Sequence, residues 1–228
     1  LLTIGRLPAG WQVATAMAPG PGRRQWQSAD YAELIDHPFE MGRFWRGQFQ
    51  AGGVAHEIVV TGAWPSLDGE RLLQDARRVC EQHQRFWHAR SHSAAPFGRY
   101  LFLVLAVEDG YGGLEHRDSA SLVVARRDLP RRGMAGQPDG YVTLLGLISH
   151  EYFHAWNVKR LRPAEFEPID HSRENYTRLL WFFEGMTSYF DDLLLLRAGL
   201  IDLDHYLRLV AKGMNAVAGT PGRRVQSL

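Results

Sequence analysis

The run His150-Glu151-Tyr152-Phe153-His154 concentrates the chemistry of this sequence. Residues four apart share one face of a helix, so His150 and His154 can present two imidazoles to a single metal ion. Glu151 sits beside the first of them, where it can act as general base on a water at that metal. The residues leading into the motif, Tyr141 to Ile148, are apolar. A polar triplet on so apolar a helix needs a reason, and metal ligation supplies one. A catalytic zinc takes three protein ligands and keeps a fourth position open. The single cysteine, Cys80, is far from the motif, so the third ligand must be His, Asp or Glu. Glu184 is the best candidate, because it lies within Leu180 to Phe190, where an unpaired carboxylate is unfavourable. Glu165, Glu167 and His171 are rivals, but they stand in or beside a polar loop where charge is readily solvated. Asp191 and Asp192 follow Glu184 by two helical turns, and one of them can support a ligand histidine.

These residues need elements to hold them. The motif closes a helix expected from about Asp139 to Trp156, and a second helix is expected from Asp170 or Ser172 to just before Gly199. Pro163 and Pro168 mark the segment between them, Asn157 to Ile169, as a loop. Upstream, Ala55 to Val60 reads as a strand. Asp68 caps a helix whose apolar face is Leu72, Leu73, Ala76, Val79, Cys80, His83 and Phe86. Cys80 on that face is read as a small buried hydrophobe. Tyr100 to Val107 is a continuous apolar run, which predicts a central strand buried on both faces. Ser121 to Ala125 predicts another strand, and Arg126 to Gly140 a surface loop. Strands come first and helices later, an α+β order. Residues 1–45 read as the remnant of an N-terminal β domain, and 46–228 as the domain that carries the motif.

Composition narrows the classes further. The 228 residues are 45% hydrophobic and 22% charged, ordinary for a folded globular chain. Net charge is +1, so no nucleic-acid or membrane-surface partner has electrostatic support. One cysteine excludes an internal disulfide and a cysteine-rich zinc site. No apolar stretch reaches about 18 residues and no targeting segment stands out, which leaves a cytoplasmic or periplasmic site open. The chain opens on Leu1 rather than Met, and is read as a segment truncated at its C-terminus.

Three motifs in one order carry a resemblance. They are Tyr111-Gly112-Gly113-Leu114-Glu115-His116-Arg117-Asp118-Ser119, then His150 to Pro163, then Trp181 to Phe190. Together they resemble the M61 peptidases, the glycyl aminopeptidase family, which are similar in turn to the larger M1 aminopeptidases. The resemblance spans about Asp30 to Gly199. It implies a thermolysin-like zincin domain of the gluzincin type. His150, His154 and Glu184 match the zinc ligands, and Glu151 the general base. Gly112, Gly113 and Glu115 match the exopeptidase motif, whose glutamate holds the free α-amino group of a peptide substrate. The M1 pattern has Asn where His116 stands, so His116 is left either orienting the scissile carbonyl or serving structure. The implied activity is a zinc aminopeptidase removing small N-terminal residues such as Gly. The alternatives are a zinc endopeptidase of the same fold and a non-catalytic peptide-binding fragment. The oxyanion donor is not identified; Tyr176 and Tyr189 are available, the latter read as helix packing, as are Trp156, Trp181 and Phe182 as core.

Overall fold

The computed structural model describes residues 1–89 and 94–225. Short strands open the chain: β1 (Leu2–Thr3), β2 (Gln12–Ala14), β3 (Ala18–Pro19) and β4 (Gln25–Gln27). A single-turn helix, α1 (Tyr31–Ile35), precedes β5 (Glu40–Gly42). β1, β4 and β3 form one small sheet, and β2 pairs antiparallel with β5.

The main sheet follows, built from β6 (Trp45–Ala51), β7 (Val54–Thr61), β8 (Arg99–Val107), β9 (Tyr111–Glu115) and β10 (Ser119–Ala125). Its strand order is β6-β7-β8-β10-β9. β7, β8 and β10 are parallel, while β6 and β9 run antiparallel at the two edges. Helix α2 (Gly69–His88) makes the crossover between β7 and β8 that a parallel pair requires. Asp68 caps it by accepting from Arg71 N at 3.1 Å. Leu72, Ala76, Val79, Cys80 and His83 are buried along it, as expected; Leu73 and Phe86 are only half-buried.

The run in β8 is apolar because both faces of the sheet are covered. Tyr100, Phe102, Val104 and Ala106 join the main core under the helices. Leu101 and Leu103 point the other way and pack with Ala14, Ala16 and Phe44 of the N-terminal layer. That cover stops short of Leu105, which is 42% exposed.

Three helices complete the fold: α3 (Asp139–Phe153), α4 (Leu180–Arg197) and α5 (Leu203–Gly219). α3 ends at Phe153, earlier than expected, yet His154 N still donates to His150 O at 3.3 Å, so the four-residue spacing keeps helical geometry. α4 begins at Leu180, about ten residues later than the pattern predicted. Polar side chains explain the delay. Asp170 accepts from Ser172 N, Asn175 donates to Asp170 O, and Thr177 accepts from Leu179 N. These local bonds offer the backbone an alternative to a helix. α4 is also less buried than its composition predicts: Trp181 and Tyr189 are 55% and 56% exposed, not core. Only Phe183, Thr187, Leu194 and Leu195 are buried on it, against α2 and α3.

Candidate metal centre and peptide cleft

Tyr152 and Phe153 anchor the motif helix in the core. Both are buried, and the Tyr152 hydroxyl is held by His56 Nε2 and Gln84 Nε2, each at 2.9 Å. Anchored on this side, α3 turns His150, Glu151 and His154 toward α4 and the β9 edge.

The donor atoms of His150, His154 and Glu184 converge. His150 Nε2 and His154 Nε2 lie 3.2 Å apart. Glu184 Oε2 is 3.5 Å from the first and 3.6 Å from the second. A tetrahedral zinc with bonds of about 2.0–2.2 Å needs donors about 3.3 Å apart, so these residues fit the ion. The far side of each ring agrees. His150 Nδ1 donates to Asp191 Oδ2 at 3.0 Å, and His154 Nδ1 donates to Asn157 O at 2.8 Å. Those bonds occupy both Nδ1 atoms and turn both Nε2 atoms toward Glu184. Charge points the same way. Burial lowers the His150 pKa, but the carboxylates of Asp191 and Glu184 outweigh it and push the imidazole up to about 10. His150 and His154 hold Glu184 well below the usual carboxylate range. The pocket favours a cation. The Glu184 side chain is half-exposed, so it owes its place to these partners rather than to burial.

Asn157 links the two helices. Its Nδ2 donates to Phe183 O at 3.0 Å and to Thr187 Oγ1 at 3.1 Å. One residue thus orients the His154 ring through its carbonyl and sets the approach of the helix that bears Glu184. Sequence reasoning missed it, because the contact spans 26 residues.

Glu151 is 4% exposed, and its Oε2 has no hydrogen-bond partner among the described residues. Burial, aided by Glu115 and Glu184, raises its pKa to about 7 against the opposing histidines. A carboxyl group with that pKa exchanges protons near neutrality. Across from it runs β9, an edge strand whose outer backbone is open. Gly113 faces Glu151: a Cβ there would sit 2.1 Å from Glu151 Oε1. Gly112 has nothing within 4 Å and leaves open space. Alternation along the strand puts Tyr111, Gly113 and Glu115 on one side. Glu115 reaches the centre, with one oxygen within 4.8 Å of donor atoms of both Glu151 and His154. Tyr111 shares this field: burial first, then Asp191 and Glu151, raise its phenol to about 12.

His116 goes elsewhere. Its Nδ1 lies 3.6 Å from Asp36 Oδ1, and the ring belongs to neither cluster of potential ligands. Its Nε2 is buried and has no hydrogen-bond partner among the described residues. Tyr176 donates to Glu174 and is exposed, and Glu165, Glu167 and His171 lie outside the cluster. Cys80 is fully buried, and burial pushes its thiol well up, as expected of an inert core residue. No helix among the described residues is long and apolar enough to cross a membrane.

Comparison with known proteins places this geometry. Residues 143–228 match the M61 glycyl aminopeptidase family, and residues 2–43 match the M61 peptidase N-terminal domain. The crystal structure of an aminopeptidase N family protein from Idiomarina loihiensis is similar at 41% identity and a TM-score of 0.80. The match covers 86% of this chain and 33% of that one, so the present chain spans about a third of its relative. No curated protein matches. With both family regions present in order and His150, His154 and Glu184 all inside the second, the chain belongs to the M61 peptidase family.

Proposed function

We propose that this chain carries the centre of a zinc aminopeptidase with a thermolysin-like arrangement, which removes a small N-terminal residue such as Gly from a peptide with a free amine. One observation carries the reading: the oxygen of Glu115 lies within 4.8 Å of donor atoms on both Glu151 and His154. In a peptide the α-nitrogen and the first carbonyl carbon are about 2.5 Å apart, and each further carbonyl is about 3.8 Å along the chain. An ammonium bound to Glu115 therefore brings only the first carbonyl to Glu151. That spacing favours exopeptidase over endopeptidase action.

His150, His154 and Glu184 would hold the ion. Bound there, zinc supplies Lewis acidity that lowers the pKa of a water toward about 7 and polarises a carbonyl. Glu151 takes the proton from the attacking water and carries it to the leaving amine. The open β9 edge pairs with the substrate backbone, and Gly113 leaves room for the carboxylate behind it. Glu115 anchors the ammonium through a charge-assisted hydrogen bond.

The test is a pair of peptides, glycyl-initiated and N-acetylated, incubated with zinc-loaded protein. Release of free glycine from the first alone, lost in Glu115→Gln and in Glu151→Gln, is expected. Equal cleavage of both, at internal bonds, would assign the chain to the endopeptidases instead.

A further inference from the structure

Asn157-Val158-Lys159-Arg160, which starts three residues after His154, engages three parts of the site at once. Asn157 clasps α4. Arg160 holds the turn after β9, donating to Arg117 O at 2.9 Å and to Asp118 Oδ1 at 3.1 Å. Between them Val158 adopts φ +139°, a conformation strained for a β-branched residue. Lys159 N donates to His154 O at 3.1 Å, which fixes where the lysine stem begins. From there its Nζ reaches Glu115 Oε1 at 4.0 Å and Asp36 Oδ1 at 3.2 Å.

The lysine presents an electrostatic problem. Glu115 must offer its negative charge to a substrate ammonium, yet the Lys159 amine already stands 4.0 Å from it. Lys carries a compact charge on a flexible stem, so little keeps it from closing the last distance. Asp36 is what holds it back. This residue follows α1 in the N-terminal layer and is tied to the end of β9 by accepting from Arg117 N at 2.8 Å. His116 approaches it from the same strand end. Burial raises the Asp36 pKa, but His116, Lys159 and the Arg117 amide outweigh it and hold the group at about 2, so it stays ionised.

We propose that Asp36 is a positioning residue that acts as a charge guard on the amino-end anchor by holding Lys159 off Glu115. Asp36 neutralises Lys159 at 3.2 Å, and Glu115 is thereby kept available for the substrate's ammonium. The N-terminal layer thus contributes to recognition of a free amine, although none of its residues belongs to the metal cluster. The inference rests on Glu115 being the ammonium anchor.

The test measures the dissociation constants of glycinamide and N-acetylglycinamide by NMR titration, together with kcat and KM on glycyl-p-nitroanilide. Asn at position 36 can still accept from Arg117 N, so Asp36→Asn preserves the strand end while removing the charge. It should weaken glycinamide binding about tenfold, the size of one charge-assisted hydrogen bond, as Lys159 swings onto Glu115. N-acetylglycinamide binding and kcat should hold, with the loss falling on KM. Adding Lys159→Met to Asp36→Asn removes the competitor and should restore glycinamide binding to within about threefold. Thermal melting checks the fold, and Asp36→Ser with the same rescue is the second variant. Equal weakness in the single and double variants would overturn the guard, as would a loss in Lys159→Met alone. Glu115→Gln separates the two levels: if it leaves the preference for a free amine intact, the anchor itself is wrong. If it abolishes that preference while Asp36→Asn is silent, only the guard fails.

Discussion

Gly113→Ala tests the cleft with a single methyl group. The added Cβ would lie 2.1, 2.4 and 2.6 Å from Oε1, Cδ and Cγ of Glu151. Carbon and oxygen rest at roughly 3.4 Å, so the carboxylate would have to retreat by about 1.3 Å. Glu151 is 4% exposed and cannot swing into solvent. Misplacing a reacting group by about 1 Å is enough to lower a rate about 10²-fold, or about 2.7 kcal/mol in activation free energy. The effect should fall on kcat, because Glu151 is not a metal ligand in this arrangement and zinc content should not change. Gly112→Ala is the matched control: its Cβ meets nothing within 4 Å, and alanine suits a strand at least as well as glycine. The assay is kcat and KM on glycyl-p-nitroanilide, with zinc content and melting temperature measured on the same samples. Gly113→Ala retaining activity within threefold of the parent would refute the placement of Glu151 as base. Equal losses in both variants would trace the effect to the strand rather than to the contact.

Two other perturbations follow from the same geometry. Asn157→Ala deletes the two bonds to α4 while leaving the carbonyl that orients His154. It should reduce zinc affinity about 10- to 100-fold by competition with a chelating dye, and lower stability by about 1–3 kcal/mol in denaturant titration; unchanged affinity would show that α4 is positioned by packing alone. His56 and His83 are buried, and burial lowers each pKa to about 4 from 6.5. Between those values the unfolded chain binds more protons than the folded one, so stability falls as pH drops from 6.5 toward 4. At pH 5 each histidine should account for about 2 kcal/mol of the loss. His56→Gln should reduce the fall between pH 7 and pH 5 by that amount in urea unfolding, and a fall identical to the parent's would contradict the burial argument.

Much of the fold and site was legible because the signals are local. The motif spacing, the Asp68 cap and the doubly covered β8 run each follow from a few neighbouring residues. Asp191 or Asp192 is expected beside a ligand histidine because two helical turns from Glu184 return to the same face, and Asp191 is the one that meets His150. The signals that failed were tertiary. α4 was placed too early because the periodicity does not show Asp170, Asn175 and Thr177 satisfying the backbone between them. Trp181 and Tyr189 look like core by composition, but one face of α4 carries the packing. α5 was not anticipated, although Asp202 caps it by accepting from His205 N, a signal of the kind that placed α2. Lys159 carried no mechanistic reading, because its partner Asp36 lies more than a hundred residues away and on another layer. The approach of His116 to Asp36 was hidden for the same reason.

The central claim is the three-residue metal site, and zinc titration by isothermal calorimetry on chelator-stripped protein tests it most directly. The parent should bind one zinc per chain, and Glu184→Gln should bind at least about a hundredfold more weakly, since one of three protein ligands is lost. A folded parent that binds no zinc, or a Glu184→Gln variant that binds it as tightly, would contradict the site.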